Sequence, residues 1–201
     1  MLDELILFSE LEIEEQRAGR NKATAIDRSY IGSGEYRRKF NAISDNPDLQ
    51  RLMYQAAKEM LAHRSGTLYE DMCWIDLDSL SVIAKELDAV QEEMIVYSKR
   101  TKAAIKEFEN ILTLHTHPNS FPPSIQDFNS NFTNNYSVGI VLCHNGTIYV
   151  YRSEEPVDEK YFSAVVAKYL KAGYNEHEAQ LKALEDVSAH FKIFFKEVTI
   201  S

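Results

Sequence analysis

The stretch "LTLHTHPNSFPPSIQDF", Leu112 to Phe128, decides how the chain is read. An apolar run ends in two histidines one residue apart, and a proline follows at once. In a β-strand successive side chains point to opposite faces, so His115 and His117 share a face while Thr116 points to the other. Pro118 carries no N–H for a sheet ladder and ends the strand. Pro122 and Pro123 stiffen the connector, and "SIQD" then has the form of a helix start. Ser124 accepts a backbone N–H there, and Asp127 favours the positive end of the helix. A strand that delivers two imidazoles and a helix whose first turn delivers a carboxylate bring His115, His117 and Asp127 to one place. Two imidazole nitrogens and one carboxylate oxygen form a three-ligand set for Zn2+ with a fourth position left for water, which is the pattern of a catalytic zinc site and not of a closed structural one. The same donors admit iron or manganese. Each half alone has an ordinary explanation, a surface or core histidine pair and a capped helix; their adjacency is what points to a metal. Zinc so bound polarises a carbonyl and lowers the pKa of its water, so hydrolysis of a peptide or isopeptide bond is the expected chemistry.

Outward from this segment, helical periodicity covers Asp48 to Arg64, where Leu49, Leu52, Met53, Ala56, Ala57, Met60 and Leu61 share a face and "DNPD" supplies the start. Strands are expected at Leu68 to Ile75, Leu80 to Ala84 and Ala89 to Tyr97, with a short helix from Thr101 to Glu109. "YSVGIVLCHNGTIYVYR" reads as a hairpin about His144-Asn145-Gly146. Two closing helices are predicted, one carrying Tyr161, Phe162, Val165, Val166, Tyr169 and Leu170, the other Leu181, Leu184, Val187, Phe191, Phe194 and Phe195, with Gly173 between them. Residues 1 to about 20 predict a peripheral or partner-facing helix, and residues 21 to 47 an irregular connector marked by "IGSGEY" and "SDNP". The fold class is α+β with a C-terminal helical pair. It divides into an N-terminal helix and connector (1–47), a core (48–153) and a C-terminal helical extension (154–201).

Composition narrows the function. The chain has 201 residues, 44% of them hydrophobic, and 31 acidic against 22 basic residues give a net charge of −9. That charge repels a phosphate backbone, and "YRRKF" and "KRTK" are short solvated clusters, so no nucleic acid is expected as a partner. No run of about 18 apolar residues occurs, so no membrane span is expected, and the apolar run from Leu5 to Phe8 is too short for a signal segment. Cys73 and Cys143 make neither a disulfide framework nor a cysteine-rich zinc module, and a reducing cytoplasm is the simplest compartment. His63, His144, His177 and His190 have no partner at ligand spacing. Cys143 and His144 are neighbours on a strand and face opposite ways, which disfavours a nucleophile pair.

"HTHP" followed by "SIQD" resembles the JAMM, or MPN+, metalloprotease motif, His-x-His with Ser-x-x-Asp after it and a glutamate upstream. More loosely, the order of elements from Asp48 to Arg152 is similar to the MPN fold, a mixed β-sheet flanked by helices, and "HRSGTLYED" and "PPSIQDFNSNF" resemble bacterial and phage-associated members. The resemblance implies that His115, His117 and Asp127 hold zinc, that Ser124 helps stabilise the oxyanion, and that Glu70 takes a proton from the zinc water and returns it to the leaving amine. The interval from His117 to Asp127 is one residue shorter than in most members, with Ser-x-x-Asp intact. "YEDMCWI" also lacks the glycine that commonly follows the family's glutamate, so Glu86, Glu92 and Glu93 stand as alternatives to Glu70. The expected function is a zinc metallopeptidase or isopeptidase acting on a protein or peptide, with protein partners or self-association through the N- or C-terminal helices. The alternatives are a metal-free MPN-type protein-binding scaffold and a DNA-associated RadC-like protein.

Overall fold

In the computed structural model, residues 19–200 are described. Six strands, β1 (Met72–Asp76), β2 (Ser81–Glu86), β3 (Ile111–His117), β4 (Val138–Cys143), β5 (Ile148–Ser153) and β6 (Ile193–Glu197), form one sheet in the order β2-β1-β3-β4-β5-β6. Only β3 and β4 run parallel; every other neighbouring pair is antiparallel, so the sheet is mixed. The parallel pair needs a crossover, and α5 (Ile125–Thr133) supplies it, which sets a helix start directly beyond the end of β3. Among the described residues there are six further α-helices: α1 (Arg28–Ile31), α2 (Gly34–Lys39), α3 (Pro47–Arg64), α4 (Lys99–Ala104), α6 (Glu159–Lys171) and α7 (Glu176–Ser188). The class is α+β.

Helix α3 starts where expected: the Asn46 side chain accepts from the Asp48 and Leu49 amides, and Pro47 opens the first turn without needing an N–H partner. Its apolar stripe packs Met53, Ala57 and Leu61 against Leu112 and Leu114 of β3 and Ile140 and Leu142 of β4. The opposite face of the sheet carries Val141, Tyr149 and Tyr151 against Ile125 and Phe128 of α5 and Leu184 and Val187 of α7. With both faces covered, β3 is buried along its whole length. No helix of the described residues is long and apolar enough to cross a membrane.

Several expectations need correction. The strand expected from Leu68 starts at Met72, which leaves Glu70 in the turn ahead of it. Ala89 to Tyr97 is not a strand. Ile95 and Tyr97 pack inward near Trp74 while Met94 and Val96 are exposed, yet the segment forms no ladder with the free edge of β2, and Glu93 sits at a φ of 54°. The last helix stops at Ser188, and "IFFKE" instead joins β5 as the edge strand β6. Ile193 and Phe195 face the α7 cluster and Phe194 is exposed, so the segment follows a period of two where its phenylalanines suggest a continued period of 3.6. Residues 21 to 47 are more ordered than expected: Asp27 and Ser33 cap α1 and α2, and Ile31, Tyr36 and Phe40 enter the α3 core. The helix expected over residues 1 to about 20 falls on residues 1–18, outside the described residues.

Candidate metal centre

The end of β3 and the start of α5 meet as their sequences require. His115 and His117 lie on the face of β3 away from α3, with their Nε2 atoms 3.0 Å apart. Ser124 is the N-cap of α5 and forms a reciprocal capping box with Asp127. Ser124 Oγ accepts the Asp127 amide N–H at 3.2 Å, and Asp127 Oδ2 accepts the Ser124 amide N–H at 2.7 Å and its hydroxyl at 2.8 Å. The cap presents the carboxylate to both rings, with Oδ1 at 3.2 Å from His115 Nε2 and Oδ2 at 3.4 Å from His117 Nε2. A tetrahedral zinc with bonds of about 2.1 Å separates its ligand atoms by about 3.4 Å. These donors are therefore spaced as such an ion needs, and among the described residues they form the one cluster of this kind.

What surrounds the donors fixes them. His117 Nδ1 donates to the Phe121 carbonyl at 3.0 Å, so in the neutral ring the lone pair lies on Nε2. His115 Nδ1 is buried and has no hydrogen-bond partner among the described residues. Its ring is held instead by packing, edge-on to Tyr151 with centroids 6.1 Å apart. Burial would raise the Asp127 pKa, but the charges and hydrogen bonds of His115 and His117 outweigh it and hold the carboxyl well below the usual range. Burial alone would lower that of His117; the Asp127 hydrogen bond and the charges of Glu70 and Asp127 push it up to about 9.

Glu70 is 8% exposed and lines the same cleft as the three donors. Burial raises its pKa, His117 and His115 pull it down, and Asp127 and Glu93 reinforce the rise. Of the alternatives, Glu93 also reaches the cleft, where it accepts from the Asn119 side chain. Glu86 instead accepts the Ser98 amide at the start of α4, and Glu92 is exposed; neither lines the cleft.

The cleft has a volume of about 850 Å³, within the range of small-molecule and peptide sites. Residues 93–97 form one wall, and Glu176 and Gln180 of α7 belong to another. Neither wall was visible in the motif, because both are brought in by chain remote from it. Phe121 was missed as well, since its contribution is a backbone carbonyl and leaves no side-chain signal. The remaining histidines have local roles: His63 pairs with Asp71 at 2.7 Å, His144 meets the Thr24 carbonyl at 2.6 Å, His177 stacks on Phe121, and His190 packs against Tyr161. Cys143 is buried and burial pushes its thiol up, which disfavours the thiolate a nucleophile needs. Comparison of the chain with protein-family models, with curated proteins and with solved structures returned no match.

Proposed function

We propose that this protein is a zinc-dependent metallopeptidase of the JAMM/MPN+ type that hydrolyses an amide or isopeptide bond of a protein or peptide. The observation that carries the proposal is the triangle of His115 Nε2, His117 Nε2 and the Asp127 carboxylate, 3.0 to 3.4 Å on a side, with the buried carboxyl of Glu70 in the same cleft. The parallel β3–α5–β4 unit and the flanking antiparallel strands support an MPN-type arrangement.

Bound zinc would supply Lewis acidity and a water of lowered pKa. The remaining work falls to the chain. His117 is kept in the ligating tautomer by the Phe121 carbonyl, and Asp127 is aimed by its cap. Glu70, with its pKa lifted by burial, is suited to accept a proton from the attacking water and return it to the leaving amine. The Ser124 hydroxyl donates to Asp127 Oδ2, so its first task is to hold the ligand. Stabilising an oxyanion requires that hydrogen to turn from Asp127 toward the substrate carbonyl.

The test is metal content by elemental mass spectrometry on chain purified without chelator or histidine tag. About one zinc per chain in the wild type and none in His115→Ala/His117→Ala is the expected result, followed by loss of peptide hydrolysis in Glu70→Gln with zinc retained. A wild type that stays metal-free after zinc is supplied overturns the proposal in favour of a protein-binding scaffold.

A further inference from the structure

Asp71 follows Glu70 in the chain, is wholly buried, and does not line the cleft. Its carboxylate is shared between Arg64 Nε and His63 Nδ1, both at the C-terminal end of α3. Arg64 also donates from Nη2 to the carbonyl of Leu87, directly after β2, and its guanidinium lies 5.8 Å from the centroid of the Tyr69 ring. The backbone of Asp71 meets the metal strand twice. Its N–H donates to Thr116 Oγ1 at 3.0 Å, and its carbonyl accepts the Thr116 N–H at 3.0 Å. Thr116 is the residue between the two histidines, on the face of β3 that cannot touch a ligand in the cleft.

A buried ion pair is a weak source of stability, since a well-packed apolar pair of similar volume commonly does as well. What this pair does supply is position. One charge-assisted hub joins the end of α3, the turn carrying Glu70, the strand carrying His115 and His117, and the chain just after β2. We infer that Asp71, anchored by Arg64, is a positioning residue of the metal centre: it clamps the end of β3 through Thr116 against the turn that carries Glu70, and so fixes both histidines relative to the general base. The inference rests on the metallopeptidase proposal above for its chemical meaning.

The experiment uses zinc alone. Its affinity for the full chain is measured by chelator competition at a single pH, with melting temperature recorded for every variant. Thr116→Val removes the hydroxyl acceptor and leaves the Asp71 N–H unpaired, Thr116→Ser keeps the bond, and Asp71→Asn removes the charge that holds Arg64. Partners that orient metal ligands from outside the ligand shell are typically worth about 10- to 100-fold in affinity. Thr116→Val and Asp71→Asn are therefore expected to bind zinc at least about tenfold more weakly, while Thr116→Ser stays at the wild-type value. Leu49→Ala, at the far end of α3, is the control for general destabilisation and should leave zinc affinity unchanged. Arg64→Lys, whose single ammonium cannot reproduce a planar fork to both Asp71 and Leu87, provides an independent route should Asp71→Asn fail to fold; it too must weaken binding. Wild-type affinity in folded Thr116→Val or Arg64→Lys overturns the inference and leaves the function intact. An equal loss in Leu49→Ala overturns it as well. A wild type that binds no zinc removes the function first and the inference with it.

Discussion

Replacing Gly139 with alanine should destabilise the protein through one side chain, Tyr151. Trp74, Thr113, Gly139 and Tyr151 are register partners across four neighbouring strands. The Tyr151 ring lies over β4 where Gly139 offers no side chain, and it abuts His115 on one side and Phe128, at a centroid distance of 5.3 Å, on the other. A β-carbon on Gly139 would stand 2.5 Å from Tyr151 Oη and closer still to Cζ and Cε1. Carbon contacts settle near 3.5 to 4.0 Å, so the ring would have to retreat by about 1.5 Å, and with 2% exposure it has nowhere to go. Overpacking of this kind costs about 1–3 kcal/mol, which for a chain of this length lowers the melting temperature by roughly 2–12 °C.

The sign makes the test sharp. Gly139 is not among the positive-φ glycines, so its backbone accepts alanine, and loss of glycine's unfolded-state entropy would otherwise stabilise the strand by about 0.5–1 kcal/mol. Urea unfolding of Gly139→Ala, Tyr151→Ala and the double variant closes the cycle. The penalty should vanish or reverse once Tyr151 is gone, giving a coupling of at least about 1 kcal/mol. Zinc binding should weaken in Gly139→Ala and in Tyr151→Ala as well, because His115 lacks a hydrogen bond at Nδ1 among the described residues and takes its orientation from Tyr151. An equal penalty in both backgrounds, or stabilisation in the wild-type background, refutes this account of the sheet.

Ser124→Ala should cost about 1 kcal/mol in urea unfolding of the metal-free protein and weaken zinc binding, since the cap and the hold on Asp127 go together; stability within about 0.3 kcal/mol of wild type would contradict it. Glu70→Gln should raise the melting temperature of the metal-free protein near pH 8 and leave it unchanged near pH 4. Burial raises the folded pKa above the unfolded value, so the wild type loses stability as pH climbs from the unfolded value through the folded one, by about 1.4 kcal/mol for each pH unit between them, and the amide does not. No pH-dependent difference between the two would reject the electrostatic account of the base. His117, raised to about 9, stabilises the metal-free fold fully below about pH 6.5 and loses that contribution as pH rises through 9. Zinc must displace its proton, so chelator competition should show affinity rising by up to about tenfold per pH unit between pH 7 and 9, and a flat profile would count against it.

Why the site was legible while much of its surroundings was not follows from where the information sits. His115, His117, Ser124 and Asp127 lie within one strand, one turn and the first turn of one helix, so local rules of alternation and capping place them. Glu70 came from resemblance alone, and its burial beside the histidines depends on a turn held by Thr116 and Arg64, which no local pattern announces. Helix α3 was readable because its stripe and its cap agree. "IFFKE" was misread because Phe191, Phe194 and Phe195 extend a helical spacing by chance, while the free edge of β5 decides the matter from a distance. Ala89 to Tyr97 shows the converse, an alternating pattern whose inward residues pack near Trp74 without pairing to the free edge of β2.

Asp127 shows how one residue satisfies two demands that usually compete. As a capping residue it must accept from the helix start, and as a proposed metal ligand it must offer lone pairs outward. The reciprocal box commits Oδ2 to Ser124 and leaves Oδ1 facing His115 Nε2, so helix formation itself aims the carboxylate. The cationic form of His117, favoured by Asp127 and Glu70, offsets the carboxylate's charge in the metal-free chain. The three donors are thus held at ligand spacing by the cap, by the Phe121 carbonyl and by the packing of Tyr151, so the proposed metal would have a proton to displace but little chain to order.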